Sequence, residues 1–206
     1  MTFLNLIAYG DVIQLDRKMN ASQFVNWTEN NFNYVKYNPR KDVNRYGLSI
    51  TSLDGGLSGI PDLDSIYEYN KENGTSYTER DFMVHTPVFE YPELKNIIQP
   101  WENYIFRSHI LKLGPGGFFP PHRDSKEIDV DSFRLIVPLE NVNPPYSNFV
   151  IEDKFLYWEM GCMYFVNTSK MHYLFNASFS NSYWIVFNVE CNDTTVNAIL
   201  QQTRQR

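Results

Sequence analysis

The stretch "CMYFVNTSKMHYLFNASFSNSYWIVFNVE" (162–190) decides the fold class. It holds three runs of β-branched and aromatic residues, broken by Asn, Ser and Thr clusters that read as turns. Upstream, the same texture continues through "YIFRSHILKL", "FRLIVPLE", "NFVIED" and "KFLYWEM". Short strands at intervals of about 8–12 residues point to a jelly roll or closed sandwich rather than an open sheet. The jelly-roll core is therefore expected over 104–191. Residues 1–103 read as a helical and mixed support region, and 192–206 as a polar, loosely ordered tail. The whole is expected to be one α+β unit: a double-stranded β-helix, cupin-like, with N-terminal helices packed on it.

In the N-terminal half, "GDVIQLD" (10–16) alternates as a strand does. "NASQFVNWTENNF" (20–32) opens on a capping residue and puts Phe24, Trp27 and Phe32 on one helical face. "DLDSIYEYNKENG" (62–74) carries acids at its start and Gly74 at its end. "YPELKNIIQPWENYI" (91–105) reads as a helix that Pro100 kinks or ends. "NRYGLSITSLDGGLSG" (44–59) has two readings, a strand running into a Gly-rich turn or a substrate loop.

Composition narrows the function. The chain has 206 residues, 43% of them hydrophobic and 16% aromatic, enough to bury a core. A net charge of −6 argues against nucleic-acid binding. Two cysteines, Cys162 and Cys191, make neither a disulfide framework nor a zinc ribbon. No long apolar run suggests a membrane span, and the N-terminus does not read as a secretory leader. A reduced, cytoplasmic protein is expected.

"PPHRDS" (120–125) carries the chemistry. His122 and Asp124 are two apart, so both can face one ion from the end of a strand. His172 follows Asp124 by 48 residues, inside another expected strand. Two imidazoles and a carboxylate form the facial triad that holds non-haem Fe(II) with open positions. His85 reads as a loop residue; for His109 both a cavity-lining and a core role are open. Arg134 begins an apolar strand, where it either binds a carboxylate or is solvated and pairs with Asp129 or Asp131.

Taken in order, "LGPGGFFPPHRDS" (113–125), "FRLIVPL" (133–139), Trp158 with Gly161, and "FVNTSKMHYLFNAS" (165–178) resemble the Fe(II)/2-oxoglutarate-dependent oxygenases, specifically the aspartyl/asparaginyl β-hydroxylase-like or prolyl hydroxylase-like group. The resemblance spans about 107–190. It implies Fe(II) on His122, Asp124 and His172, 2-oxoglutarate on Arg134, O2 as oxidant, and hydroxylation of a protein, peptide or amino-acid substrate. Trp158 and Gly161 become turn and packing residues. Two departures stand out. Asp124 is present where several members have glycine, which argues against a halogenase. No Arg or Lys lies in "SNSYWIV" (180–186), about ten residues past the distal histidine, where many members hold the co-substrate. Arg134 would then be helped by Ser182, Arg107 or His109. The alternatives are a cupin-type metalloenzyme that uses no 2-oxo acid, and a non-enzymatic jelly-roll binding protein.

Overall fold

The computed structural model describes residues 3–124 and 131–203. Two antiparallel sheets face each other. The smaller, in the order β10-β9-β12-β7, contains β7 (Phe118–His122), β9 (Ser147–Ile151), β10 (Lys154–Phe155) and β12 (His172–Asn176). The larger, in the order β1-β11-β8-β13-β6-β3-β2, contains β1 (Val12–Lys18), β2 (Val35–Lys36), β3 (Arg45–Ser49), β6 (Ile105–Leu113), β8 (Ser132–Glu140), β11 (Cys162–Val166) and β13 (Ser182–Glu190). A short pair, β4 (Thr51–Ser52) and β5 (Val84–His85), stands apart. This is the expected double-stranded β-helix in an α+β fold.

The large sheet is buried on both faces, and strand alternation sorts the side chains. Phe133, Leu135 and Val137 of β8, with Ile185, Phe187 and Val189 of β13, join the core under the helices. Ile136, Tyr164, Val166 and Trp184 point the other way, into the roll, with Phe149 and Leu174 of the small sheet. The same alternation turns Arg134 into the roll beside Ile136. In β6, Ile105 and Ile110 share the helical side although their spacing is odd. A bulge reconciles them. The register with β13 shifts between Val186 and Asn188, and Arg107 takes a left-handed φ of 39°. Beyond the bulge, His109 and Leu111 face the cavity.

Two expectations are corrected. The support region does not stop at the roll: β1, β2 and β3, all before residue 104, extend the large sheet at both edges. Pairing between distant segments leaves no local signal in sequence. Nor are residues 193–201 a loose tail. They form a helix, Asp193–Gln201, whose Asn192 cap accepts from the Thr195 amide at 3.1 Å. Val196 and Ile199, one turn apart, are fully buried, and Trp101 Nε1 donates to Thr195 O at 3.0 Å.

The other N-terminal elements match their reading. A helix spans Ala21–Asn31 behind Asn20, with Phe24 and Trp27 packed on Tyr91 at 5.0 and 4.9 Å between centroids. Another runs Ile66–Asn73, capped by Ser65 and closed by left-handed Gly74. The helix Pro92–Ile98 gives way to a 3-10 turn, Gln99–Tyr104, that holds Pro100. Residues 44–59 take the strand-and-turn reading, with β3 and β4 followed by the Gly55–Gly56 turn. His85, read as a loop residue, lies instead on β5, exposed and stacked on Phe89 at 3.7 Å. No described helix is long and apolar enough to cross a membrane.

Gly161 makes the turn before β11. Its φ is 79°, and a Cβ there would collide with the Met19 carbonyl. The Gly161 carbonyl accepts from the Met19 amide at 3.0 Å, tying the end of β1 to the roll. Gly161→Ala is expected to cost about 2–3 kcal/mol, a fall in Tm of about 5–10 °C. Calorimetry showing a shift under about 2 °C would contradict it.

Candidate metal centre

The two histidines meet because β7 and β12 pair antiparallel with His122 directly opposite His172. Their ring centroids are 4.2 Å apart. Among the described residues β7 is an edge strand, paired with β12, so Pro120 and Pro121 are tolerated in it. Asp124 sits just past the strand end, its amide bonded to Thr168 O at 3.0 Å. One donor atom from each of His122, Asp124 and His172 lies within 4.8 Å of the others.

The backbone sets which atoms point inward. His122 Nδ1 donates to Pro120 O at 2.7 Å, and His172 Nδ1 donates to Lys170 O at 3.0 Å. A carbonyl can only accept, so each Nε2 keeps its lone pair for a ligand. Asp124 divides its oxygens. Oδ1 faces the imidazoles, 3.6 Å from His122 Nε2 and 4.0 Å from His172 Nε2, while Oδ2 meets Arg134 Nε at 3.1 Å. That division holds the carboxylate for one-oxygen ligation. The donor set fits a divalent first-row cation bound on one face.

The charges behind the triad are balanced. Arg134 Nη2 lies 3.6 Å from Glu79 Oε2, and Arg107 Nη1 bonds Glu79 Oε1 at 2.8 Å. Burial alone would raise the Asp124 carboxyl; Arg134 and then His172 overcome it and hold the group below its usual range. Burial opposes ionisation of Glu79 too, and Arg134 and Arg107 again prevail. Burial lowers His172, against the pull of Asp124. Near neutral pH, Asp124 is therefore ionised and His172 neutral, the states metal binding requires.

A cavity of about 210 Å³ opens beside the three groups. Its far end is apolar: Leu111, Ile136, Phe149, Leu174 and Trp184. Of the residues expected to hold a co-substrate, Arg134, Arg107 and His109 line it and Ser182 does not. Ser182 lies one pleat repeat beyond Trp184, its hydroxyl bonded to Ser147 Oγ and to the Trp184 indole at 3.2 and 3.1 Å. Arg107 is engaged as well, donating to Asp62 O and Asp64 O besides Glu79. Burial, then Arg107, pushes His109 down to about 4, so it offers a neutral imidazole only. Of the two neighbours proposed for Arg134, the described one, Asp131, forms no ion pair with it. Asp131 pairs with Arg80 at 3.6 Å, and Asp129 lies outside the described residues. Among the described residues, the acids that meet Arg134 are Asp124 and Glu79. Glu79 was not among the sequence candidates; it opens a 3-10 turn, Glu79–Asp81, in which Asp81 Oδ2 accepts from the Thr78 amide at 2.6 Å.

Comparison with solved structures places this architecture. HygX from Streptomyces hygroscopicus, solved with nickel and 2-oxoglutarate bound, superposes with a TM-score of 0.55 at 8% identity, covering 91% of this chain and 85% of that one. A 2OG-Fe(II) oxygenase family oxidoreductase from Burkholderia pseudomallei gives 0.52 at 10% identity, covering 91% and 88%. At such identities the likeness is one of fold. No protein-family profile matches the chain, and no curated protein does. The protein thus has the fold of 2-oxoglutarate oxygenase structures and carries a His-Asp-His cluster in it.

Proposed function

We propose that the protein is an Fe(II)/2-oxoglutarate-dependent dioxygenase of the aspartyl/asparaginyl or prolyl hydroxylase-like group, acting on an amino-acid residue or a small amino-acid-like substrate. The observation that carries this reading is the divided Asp124 carboxylate, one oxygen toward two freed imidazole nitrogens and the other on a buried guanidinium. His122, Asp124 and His172 would hold the iron. Iron held there would supply oxidative decarboxylation of the 2-oxo acid by O2, coupled to hydroxylation of a C–H bond. The chain's part is to orient and to exclude water. Arg134 fixes Asp124 through Nε, and its Nη groups face the cavity, where Glu79 is their nearest acid at 3.6 Å. A co-substrate carboxylate would take that place through a forked pair of bonds. His109 adds a neutral hydrogen-bonding partner. Phe149 lies parallel to the His172 ring at 6.0 Å and, with Trp184, keeps the inner wall dry. A cytoplasmic location suits two cysteines that form no disulfide with each other.

One observation favours a second reading, a cupin-type metalloenzyme without a 2-oxo acid. The far end of the cavity is apolar, and both arginines lining it already face carboxylates. Anaerobic titration with Fe(II) and 2-oxoglutarate separates the two. The first reading expects the weak visible charge-transfer band of the chelate at one equivalent, and iron-dependent succinate in air. Iron uptake with no band and no succinate would establish the second instead.

A further inference from the structure

Outside the triad, one cation stands apart. Arg45 opens β3 and lies opposite Leu113 of β6, facing into the roll. It is 6% exposed, yet no carboxylate pairs with it among the described residues. Its Nη1 donates to Phe118 O at 3.3 Å, and its buried Nε finds no acceptor. The guanidinium lies 4.1 Å from the Phe119 ring centroid and 5.3 Å from that of Tyr37. Burial pulls it down from its ordinary value. By contrast Arg40, Arg107 and Arg134 each have carboxylate partners. Burying a full charge without one is costly, and a neutral side chain would suffice to clamp β3 against β7.

The placement is enforced by the chain. The Gly-Pro-Gly-Gly turn before β7 wraps the neighbouring Asn44, where a Cβ on Gly117 would strike the Asn44 carbonyl. Asn44 Nδ2 donates to Pro115 O at 3.0 Å. Arg45 is thereby held against Phe118 and Phe119. It lines a groove of about 560 Å³ whose wall also includes Lys41, Tyr37, Phe119 and His122. The groove's one acid, Asp64, is paired with Arg40. Phe119 leads inward, 6.2 Å from the His122 ring.

We infer that Arg45 receives a carboxylate of the primary substrate, an organic anion whose apolar body lies along Phe119 and Tyr37 toward His122. That the occupant is the substrate rests on the oxygenase reading; that it is a carboxylate rests on the uncompensated guanidinium. With Nε buried and Nη1 on the Phe118 carbonyl, the anion would meet the outer Nη hydrogens of Arg45, and the rings on either side suit an apolar body. Arg45 lines the outer groove and Arg134 the inner cavity, and the two spaces meet at Tyr37, Arg107, Phe119 and His122, so a substrate held at Arg45 would extend toward the co-substrate's place.

The test uses 3-phenylpropionate as probe and 3-phenylpropanamide as its neutral counterpart, followed by ligand-observed NMR on the full chain. The acid is expected to bind at least tenfold tighter than the amide. Arg45→Met should erase that preference while keeping the Fe(II)–2-oxoglutarate band at unchanged affinity; Arg45→Lys should keep part of the preference. Equal binding of acid and amide to the wild-type protein, or binding of neither, overturns the inference without any variant. So does loss of the chelate band in folded Arg45→Met, which would give Arg45 to the co-substrate. A wild-type protein that prefers the acid but forms no chelate band sinks the oxygenase reading and leaves the carboxylate site standing.

Discussion

His172→Ala is expected to lower Fe(II) affinity by more than about 100-fold and to abolish iron-dependent succinate formation. Losing a partner behind a ligand typically costs about 10–100-fold in metal affinity, so losing the ligand itself should cost more. Here the remaining pair cannot compensate. His122 and Asp124 come from one strand end and present donors from one side, and the cross-strand partner closes the face. His172 is 6% exposed and stacked on Phe149, so its truncation also opens a cavity. A stability loss of about 1–2 kcal/mol should accompany the binding defect. Two controls separate these effects. His172→Gln keeps most of the volume and should lose iron equally. His109→Ala removes a buried imidazole outside the cluster and should leave iron uptake within about threefold of wild type. Equilibrium dialysis under anaerobic conditions measures all three, and full iron uptake by His172→Ala would remove the metal centre from this protein.

The triad was legible because its members carry local signals. The two-residue step from His122 to Asp124 follows the pleat, and His172 lies in an apolar run that reads as a strand. Their meeting was not legible, since it depends on β12 pairing with β7 in a register that places His172 opposite His122. Arg134 was found for the same local reason, as a charge in an apolar strand. Its partners were sought among acids nearby in sequence, but Asp124 and Glu79 reach it through tertiary packing, the latter from a 3-10 turn in the other half of the chain. Arg45 begins "RYGLS", which by alternation is an ordinary strand opening. Only β3 docking beside β6 turns that side chain inward. Helix Asp193–Gln201 was obscured by its polar composition, because two apolar residues one turn apart sufficed to anchor it. Period and capping are written locally, whereas the partner of a strand or of a charge is not.

Arg134→Met should destabilise the metal-free protein by about 3 kcal/mol, the lower end for breaking a buried ion pair. The lower end applies because the Asp124 side chain keeps 25% exposure and can recover some water. The substitution preserves most of the volume but takes the guanidinium from Asp124 and leaves Glu79 with Arg107 alone. Calorimetry should record a fall in Tm of about 6–12 °C. Arg134→Lys should return part of the loss by restoring the charge without the fork. Iron affinity should fall about 10–100-fold, because Asp124 loses the bond that turns Oδ1 toward the imidazoles. The two roles of Arg134 then separate at saturating iron. If it only positions Asp124, the variant regains the 2-oxoglutarate band once metal is bound. If it also binds the co-substrate, as proposed, the band stays absent at 2-oxoglutarate concentrations that saturate the wild type. A variant as stable as wild type, with an unchanged band, would show that neither role is real.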